Sequence, residues 1–362
     1  MSVADLLKLS LSGARLNPDD ALNLLWRAAL PEVAWAADKI CSAKHPAPIR
    51  SYVIDRNVNY TNICVSGCRF CAFYRRPGDS GGYLLSTDQI VGKIQEAVDL
   101  GATQILMQGG LHPDLRIEYY EDLLNTIKSH FDVQIHSLSA PEIVYIARVS
   151  SLSILDTLSR LRSSGLDSLP GGGAEILVDK VRSRVSPNKC SADEWVEVMR
   201  LAGEIGMRAT ATMVFGMGEE LADRIEHLDR IRSLQDDTNV FTAFIAWPFQ
   251  PGNTKLKGSA AGAHEYLRML AMSRIYLDNI DNIQASWVTQ GPAVAQVAMR
   301  FGANDIGSTM IEENVVAATG VSHRMSEADL IDLIHSAGFD AAQRTTLYET
   351  IKLHKRREMI EQ

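Results

Sequence analysis

The chain lacks any run of about 18 apolar residues, the length at which a helix begins to span a bilayer. It also lacks an excess of positive charge: 36 Lys and Arg stand against 44 Asp and Glu, a net charge of −8. That balance argues against the basic surface that grips nucleic acid, and it disfavours docking on anionic lipid. Neither a nucleic-acid nor a membrane partner is expected. A local basic pocket for an anionic substrate stays allowed. Residues 1–30 carry Asp5, Asp19 and Asp20 and show no basic stretch followed by an apolar one. No secretion signal is therefore expected, and the expected location is the cytoplasm. Cysteine is scarce, and five in 362 residues excludes a disulfide scaffold.

Three of those five are crowded together. Cys64, Cys68 and Cys71 fall within eight residues, and without an export signal such a group reads as metal-binding or catalytic. Cys41 and Cys190 sit far from them and read as packing residues. Hydrophobic residues make up 46% of the chain, enough for a sizeable core.

Short strand-like runs alternate with amphipathic helical stretches, the pattern of a parallel sheet with crossover helices. Strands are predicted at 51–58, 103–107, 133–136, 165–169, 208–215, 241–247, 283–289 and 305–309. Helices are predicted at 87–100, 119–129, 192–205, 221–234 and 262–279. Asn17-Pro18-Asp19-Asp20 has the form of a helix cap and first turn. The fold class is therefore α/β, a (β/α)8 TIM-type barrel with extra N-terminal helices. A barrel partly open at its C-terminal strands is the alternative. The expected organisation is a helical segment at 1–48 packing on the barrel, the barrel at 49–320 with its cysteine loop at 61–74, and a C-terminal helical segment at 321–362.

Active sites of such barrels lie at the C-terminal ends of the strands. The cysteine loop follows the first strand. A structural zinc site wants four ligands in a closed tetrahedron, and no fourth Cys or His lies near these three. Three thiolates suit a [4Fe–4S] cluster with one iron lacking a protein thiolate, where cubanes otherwise take four. That vacancy is best explained by an exchangeable ligand.

Cys64-Val65-Ser66-Gly67-Cys68-Arg69-Phe70-Cys71 resembles the signature of the radical S-adenosylmethionine superfamily. The resemblance implies that S-adenosylmethionine chelates the open iron and yields a 5′-deoxyadenosyl radical on reduction. It implies that Phe70 lines the adenine pocket and that Gln108-Gly109-Gly110 meets the methionine end, although Leu111 stands where the family has Glu. Val214-x-Gly216 resembles the motif that flanks adenine. Ser139 is expected among the cofactor contacts. An external donor such as flavodoxin or ferredoxin would supply the electron.

Longer stretches, among them Asn59-Tyr60-Thr61-Asn62-Ile63-Cys64 and His136-Ser137-Leu138-Ser139-Ala140-Pro141-Glu142, are similar to one branch. That branch comprises the futalosine-route menaquinone enzymes and the deazaflavin synthase halves. Asp167-Ser168-Leu169-Pro170-Gly171-Gly172-Gly173 and Trp247-Pro248-Phe249-Gln250-Pro251-Gly252 are most like the member acting on dehypoxanthine futalosine. This implies hydrogen abstraction from ribose C4′ and ring closure onto the carboxyphenyl group. A sibling of the same branch is the rival.

Such a reaction needs a base, for which His136, Glu142 and Glu175 are candidates, histidine having the pKa nearest the working pH. The substrate carboxylate needs a cation or convergent donors. Arg75 is the candidate, with His112, Gln250 and Glu312 as further substrate contacts. Ser139 and Glu142 also have the form of a helix cap, a role that accounts for both without chemistry.

Overall fold

The computed structural model describes residues 1–356. Eleven strands form one sheet: β1 (Ile49–Val53), β2 (Asp55–Val58), β3 (Gln104–Met107), β4 (Gln134–Ser137), β5 (Ser168–Leu169), β6 (Arg208–Phe215), β7 (Phe241–Pro248), β8 (Asn282–Gln284), β9 (Asp305–Ser308), β10 (Asp340–Arg344) and β11 (Thr350–His354). Their order is β11-β10-β1-β9-β8-β7-β6-β5-β4-β3-β2. All neighbours pair in parallel except β10 and β11.

β1 and β2 are two halves of one strand, interrupted at Ile54. The first half pairs with β9 and β10, the second with β3. Beyond β9, the Ile311 amide donates to the Asp55 carbonyl at 3.2 Å. The curled sheet thus brings its ends together along this one strand.

Strand period sets the two faces of the sheet. In β6, Ala209, Ala211, Met213 and Phe215 are buried against the helices, while Thr210, Thr212 and Val214 turn to the bore. Asp55, Asn57, Gln104, Leu106 and His136 also face the bore, so polar groups are set into a lining that is otherwise largely apolar. The apolar core lies outside the strands, around Trp195, Phe215, Phe241, Phe244 and Trp287. Burying such side chains contributes roughly 2 kcal/mol each.

The crossover helices begin and end where local chemistry says they should. Ser86 caps Thr87–Asp99 by accepting from the Gln89 amide at 3.3 Å, and Gln89 answers to the Ser86 amide at 2.9 Å. Gly101 then takes φ +88, a left-handed turn into β3. Asn17 caps Pro18–Arg27 through the Asp20 amide. The three N-terminal helices, Val3–Leu11, Pro18–Arg27 and Leu30–Lys44, pack chiefly on Ala263–Tyr276 and Leu221–Thr238. Cys41 is wholly buried on the third.

Two expectations need correction. The run 283–289 is not one strand: β8 ends at Gln284, and Trp287–Gln290 is a helical turn. Trp287 is drawn inward there, and its indole donates to the Ser308 carbonyl at 3.0 Å. The segment 321–362 is not helical throughout. Glu327–Ser336 is a helix, but β10 and β11 follow it among the described residues. Pairing with β1 overrides the helical preference of Ala341, Ala342 and Gln343. No helix of the described residues is long and apolar enough to cross a membrane.

Candidate active site

The cysteine loop leaves β2 at Val58 and is held by backbone bonds together with the side chains of Thr61, Asn62 and Asn188, which bond the carbonyls of Tyr83, Gly81 and Ser66. The Cys64 amide donates to the Arg75 carbonyl at 2.8 Å, and the Arg75 amide to the Asn62 carbonyl at 2.8 Å. Val65 reaches the Leu111 carbonyl at 3.0 Å, and Arg69 reaches that of Val185 at 2.8 Å. The three thiols are therefore free of structural duty. All are unpaired cysteines. Burial pushes the Cys68 thiol up to about 11 and raises Cys71 as well. Opposing this, Ser66 Oγ lies 3.0 Å from Cys68 Sγ, and Lys189 acts on both sulfurs. Cations and hydroxyl donors of this kind favour the thiolate that iron requires.

Among the described residues, no three His, Cys, Asp or Glu side chains converge on one ion. A mononuclear zinc site would need that convergence. A cubane places each thiolate on a different iron, so three free thiols on one wide loop fit it.

The two glycines after β3 let the loop approach. A Cβ on Gly110 would stand 2.2 Å from the Ile63 carbonyl oxygen, and one on Gly109 would stand 2.4 Å from the Tyr60 ring. Gly109 donates its amide to Glu142 Oε1 at 2.9 Å. Glu142 is fully enclosed: Tyr60 OH, Ser139 N and Ser139 Oγ bond it at 2.8, 2.8 and 2.6 Å. Glu142 and Ser139 are thus spent on a capping box that braces the Gln108–Gly110 turn. Neither lines the bore.

Glu175 also leaves the bore. It is buried beside the cysteine loop, 2.8 Å from Lys189 Nζ and 3.4 Å from Arg182 Nη1. Burial pulls the Lys189 ammonium down, but Glu175 and the Cys68 sulfur outweigh that and keep it charged. Its Nζ lies 5.4 Å from the Phe70 ring centre. Phe70 and Val214 pack on Val185, Met217 and Phe249, an apolar wall next to the thiols. Gly216, with φ +89, turns the chain just past Val214. Its amide and that of Met217 bond Glu219 at 2.7 and 2.8 Å.

One cavity of about 300 Å³ runs down the bore from Phe70, Cys71 and Gln108 through Val214 and Gln250 to His136. His136 is buried, with Nδ1 2.7 Å from Ser168 Oγ and Nε2 3.5 Å from Thr210 Oγ1. Burial, helped by the charge of Arg344, drives its pKa down to about 3. Burial thus keeps His136 a neutral ring of lowered basicity, its pKa well below that expected of a free histidine.

Arg75 and Glu312 lie elsewhere, in a separate cleft of about 430 Å³. Arg75 points its guanidinium at the carbonyls of its own loop, nearest Tyr74 at 2.9 Å. Glu312 is held at 2.7 Å by both Arg56 and Lys93. His112 accepts the Asp114 amide at 3.2 Å and does not line the bore. Arg75, Glu312 and His112 are therefore not groups of the central cavity. Sequence reasoning in turn missed Lys189 and the polar floor of the bore, Asp55, Gln104, Asp305 and Arg344. Those residues are scattered through the chain and carry no local spacing to find them by.

With cysteine loop, apolar wall and bore in place, family models match two stretches: "Radical SAM superfamily" over residues 58–231 and "CofH/MqnC C-terminal region" over 238–357. The chain belongs to the radical SAM superfamily. It is 48% identical to cyclic dehypoxanthine futalosine synthase of Halalkalibacterium halodurans, over 100% of this chain and 98% of that protein. It is 44% identical to the synthase of that name from Streptomyces coelicolor, over 95% and 87%. Aminodeoxyfutalosine synthase of Thermus thermophilus is 36% identical over 96% and 95%. In fold, the chain is similar to the FeFe-hydrogenase maturase HydG from Carboxydothermus hydrogenoformans, with TM-score 0.76 at 16% identity, covering 96% of this chain and 80% of that one.

Proposed function

We propose that this protein converts dehypoxanthine futalosine to cyclic dehypoxanthine futalosine in menaquinone biosynthesis, forming a carbon–carbon bond within the substrate. The full-length similarity to two synthases of that name supports the substrate. The observation that carries the chemistry is the single cavity joining the cysteine loop to the buried bore.

Cys64, Cys68 and Cys71 would hold a [4Fe–4S] cluster. With S-adenosylmethionine, such a cluster supplies a 5′-deoxyadenosyl radical. Phe70, Val214 and Gly216 offer the apolar wall and turn for the adenosyl group, and Gln108 to Gly110 form the adjoining strand tip. Lys189 is the cation beside these groups. The protein's own work is positioning and exclusion of water, since a primary alkyl radical takes any hydrogen within reach. The bore meets that demand with buried walls and a neutral His136, which can hydrogen-bond the substrate. Gln250 faces the same space, its amide 3.2 Å from the Pro248 carbonyl. An external one-electron donor such as flavodoxin or ferredoxin is required. Thiolate ligation calls for a reducing compartment, which favours the cytoplasm.

The test is an anaerobic assay of iron- and sulfide-reconstituted protein with reductant, S-adenosylmethionine and dehypoxanthine futalosine. Substrate-dependent 5′-deoxyadenosine with a product two hydrogens lighter is expected. Deoxyadenosine with untouched substrate would overturn the ring-closure reading and turn attention to the substrates of the sibling enzymes.

A further inference from the structure

The floor of the bore holds a second polar group, centred on Arg344. Its Nε and Nη2 bond Asp305 at 2.5 and 3.0 Å, and its guanidinium lies 3.9 Å over the Tyr348 ring. Asp55 is within Coulombic reach of it. Gln104 Nε2 donates to Asp55 Oδ2 at 2.7 Å, and Ser308 Oγ donates to Oδ1. Each Asp55 oxygen keeps a lone pair for the cavity.

Two hydroxyls on the turn after β10 are unusual. Thr346 Oγ1 and Tyr348 OH are both buried without a hydrogen-bond partner, and both residues line the cavity. Buried polar atoms are bonded in the great majority of cases. Two orphans on one wall mark a place where a guest supplies the missing partner. Tyr348 also holds φ +67, a strained backbone for an aromatic residue, of the kind that collects at ligand sites.

Charge decides the class of guest. Arg344 is the one cation lining this cavity among the described residues, and Asp305 already neutralises it. Asp55 adds a further negative charge. Burial raises its pKa only to about 6, so it stays mostly ionised above pH 7. A carboxylate placed here would meet Asp55 at low dielectric, where like charges repel strongly. Neutral hydroxyls satisfy every group: they donate to Asp55 and accept from Thr346 and Tyr348. Glu313, the other carboxylate on the wall, has spent its oxygens on the amides of Val315, Val316 and Ala317, each at 2.8 Å.

We infer that Asp55, Thr346 and Tyr348 form a subsite for sugar hydroxyls at the floor of the bore. Resting on the function proposed above, this subsite takes the ribose hydroxyls of dehypoxanthine futalosine, and the carboxyphenyl end lies away from the floor.

The experiment compares wild-type, Tyr348→Phe, Thr346→Val and Asp55→Asn holoenzyme. Each is given dehypoxanthine futalosine, its 2-deoxy- and 3-deoxyribose analogues, and an analogue with phenyl for carboxyphenyl. Tyr348→Phe should raise KM about tenfold with little change in kcat, the loss expected for one buried hydrogen bond to substrate. At least one deoxy analogue should lose about tenfold in wild type and almost nothing further in a floor variant, the non-additivity of partners in contact. The phenyl penalty should stay the same in every variant. The melting temperature of Tyr348→Phe should not fall, because its hydroxyl has no partner to lose. Deoxy penalties that add in full in all three variants would overturn the subsite. So would a phenyl penalty that vanishes in them, which would make the guest a carboxylate. If wild-type enzyme leaves the substrate unchanged, it is the ring-closure reading that falls.

Discussion

At the upper end of the bore, the fastening leaves the thiols alone. The loop from Thr61 to Arg75 is tied down by amide–carbonyl bonds and by glycines that admit close approach, and its thiols are left unbonded to one another. At the floor, side chains hold side chains: Asp305 grips Arg344 through two bonds, and Gln104 and Ser308 grip Asp55. The difference shows how one barrel keeps reactive groups available at one end and seals the other. Ligands for iron must be free to bond, so the loop is held by its backbone and by polar side chains such as Thr61, Asn62 and Asn188, not by its thiols. A floor has to exclude water, so its charged groups are hydrogen-bonded: Arg344 by Asp305, and Asp55 by Gln104 and Ser308.

The sharpest break of this contrast is at the thiols. Alanine at Cys64, Cys68 or Cys71 should abolish cluster absorbance and all turnover, while Cys41→Ala and Cys190→Ala should keep both. Iron content and visible absorbance after reconstitution check this. Next is Arg344→Met, which leaves Asp305 buried without its cation. The expected loss is about 3–5 kcal/mol of stability, read as a lower urea midpoint. Losing as little as an exposed pair would show the floor to be wetter than its burial says.

Acid tests the buried interior more widely, through His136 in the bore and His227 on the helix Leu221–Thr238. The folded-state pKa values of His136 and His227 are both pushed down to about 3, in each case chiefly by burial. The unfolded chain binds protons first, so their contribution is full above the unfolded pKa and is lost as pH falls below it. Stability should drop by about 3 kcal/mol per histidine between neutrality and pH 4.5. Denaturant titrations should show that slope, and His136→Gln should remove its share. The smallest effect belongs to Arg75→Gln, since that side chain faces only its own loop. Turnover should change by less than about threefold, roughly 0.6 kcal/mol in the barrier.

Much of the barrel was legible because its signals are local. Strand runs, caps such as Ser86 and Asn17, and the spacing of the cysteines each lie within a few residues. β10 was not legible: Asp340 to Arg344 holds no β-branched or aromatic residue and becomes a strand because β1 and β11 pair with it on either side. The same holds within the site. Cys64, Cys68 and Cys71 announce themselves, and Phe70 follows from them. Asp55, Asp305 and Arg344 meet only after the sheet has curled, so no window of sequence contains them. Glu142 was legible both as acid and as cap, and the cap is what the structure displays, with four donors on its carboxylate.

The divided first strand carries a consequence for the order of assembly. Ile49 pairs with Asp340, and Ser51 with Asp305. Chains grow from the N-terminus, so this strand emerges long before either partner exists. Contacts of such long range come late and slowly in folding. Until they form, the young chain carries an open sheet edge, and its bore drains through the bottom. The seam thus closes only once Arg344 has been made, and a chain stalled before that residue is a vessel without a base.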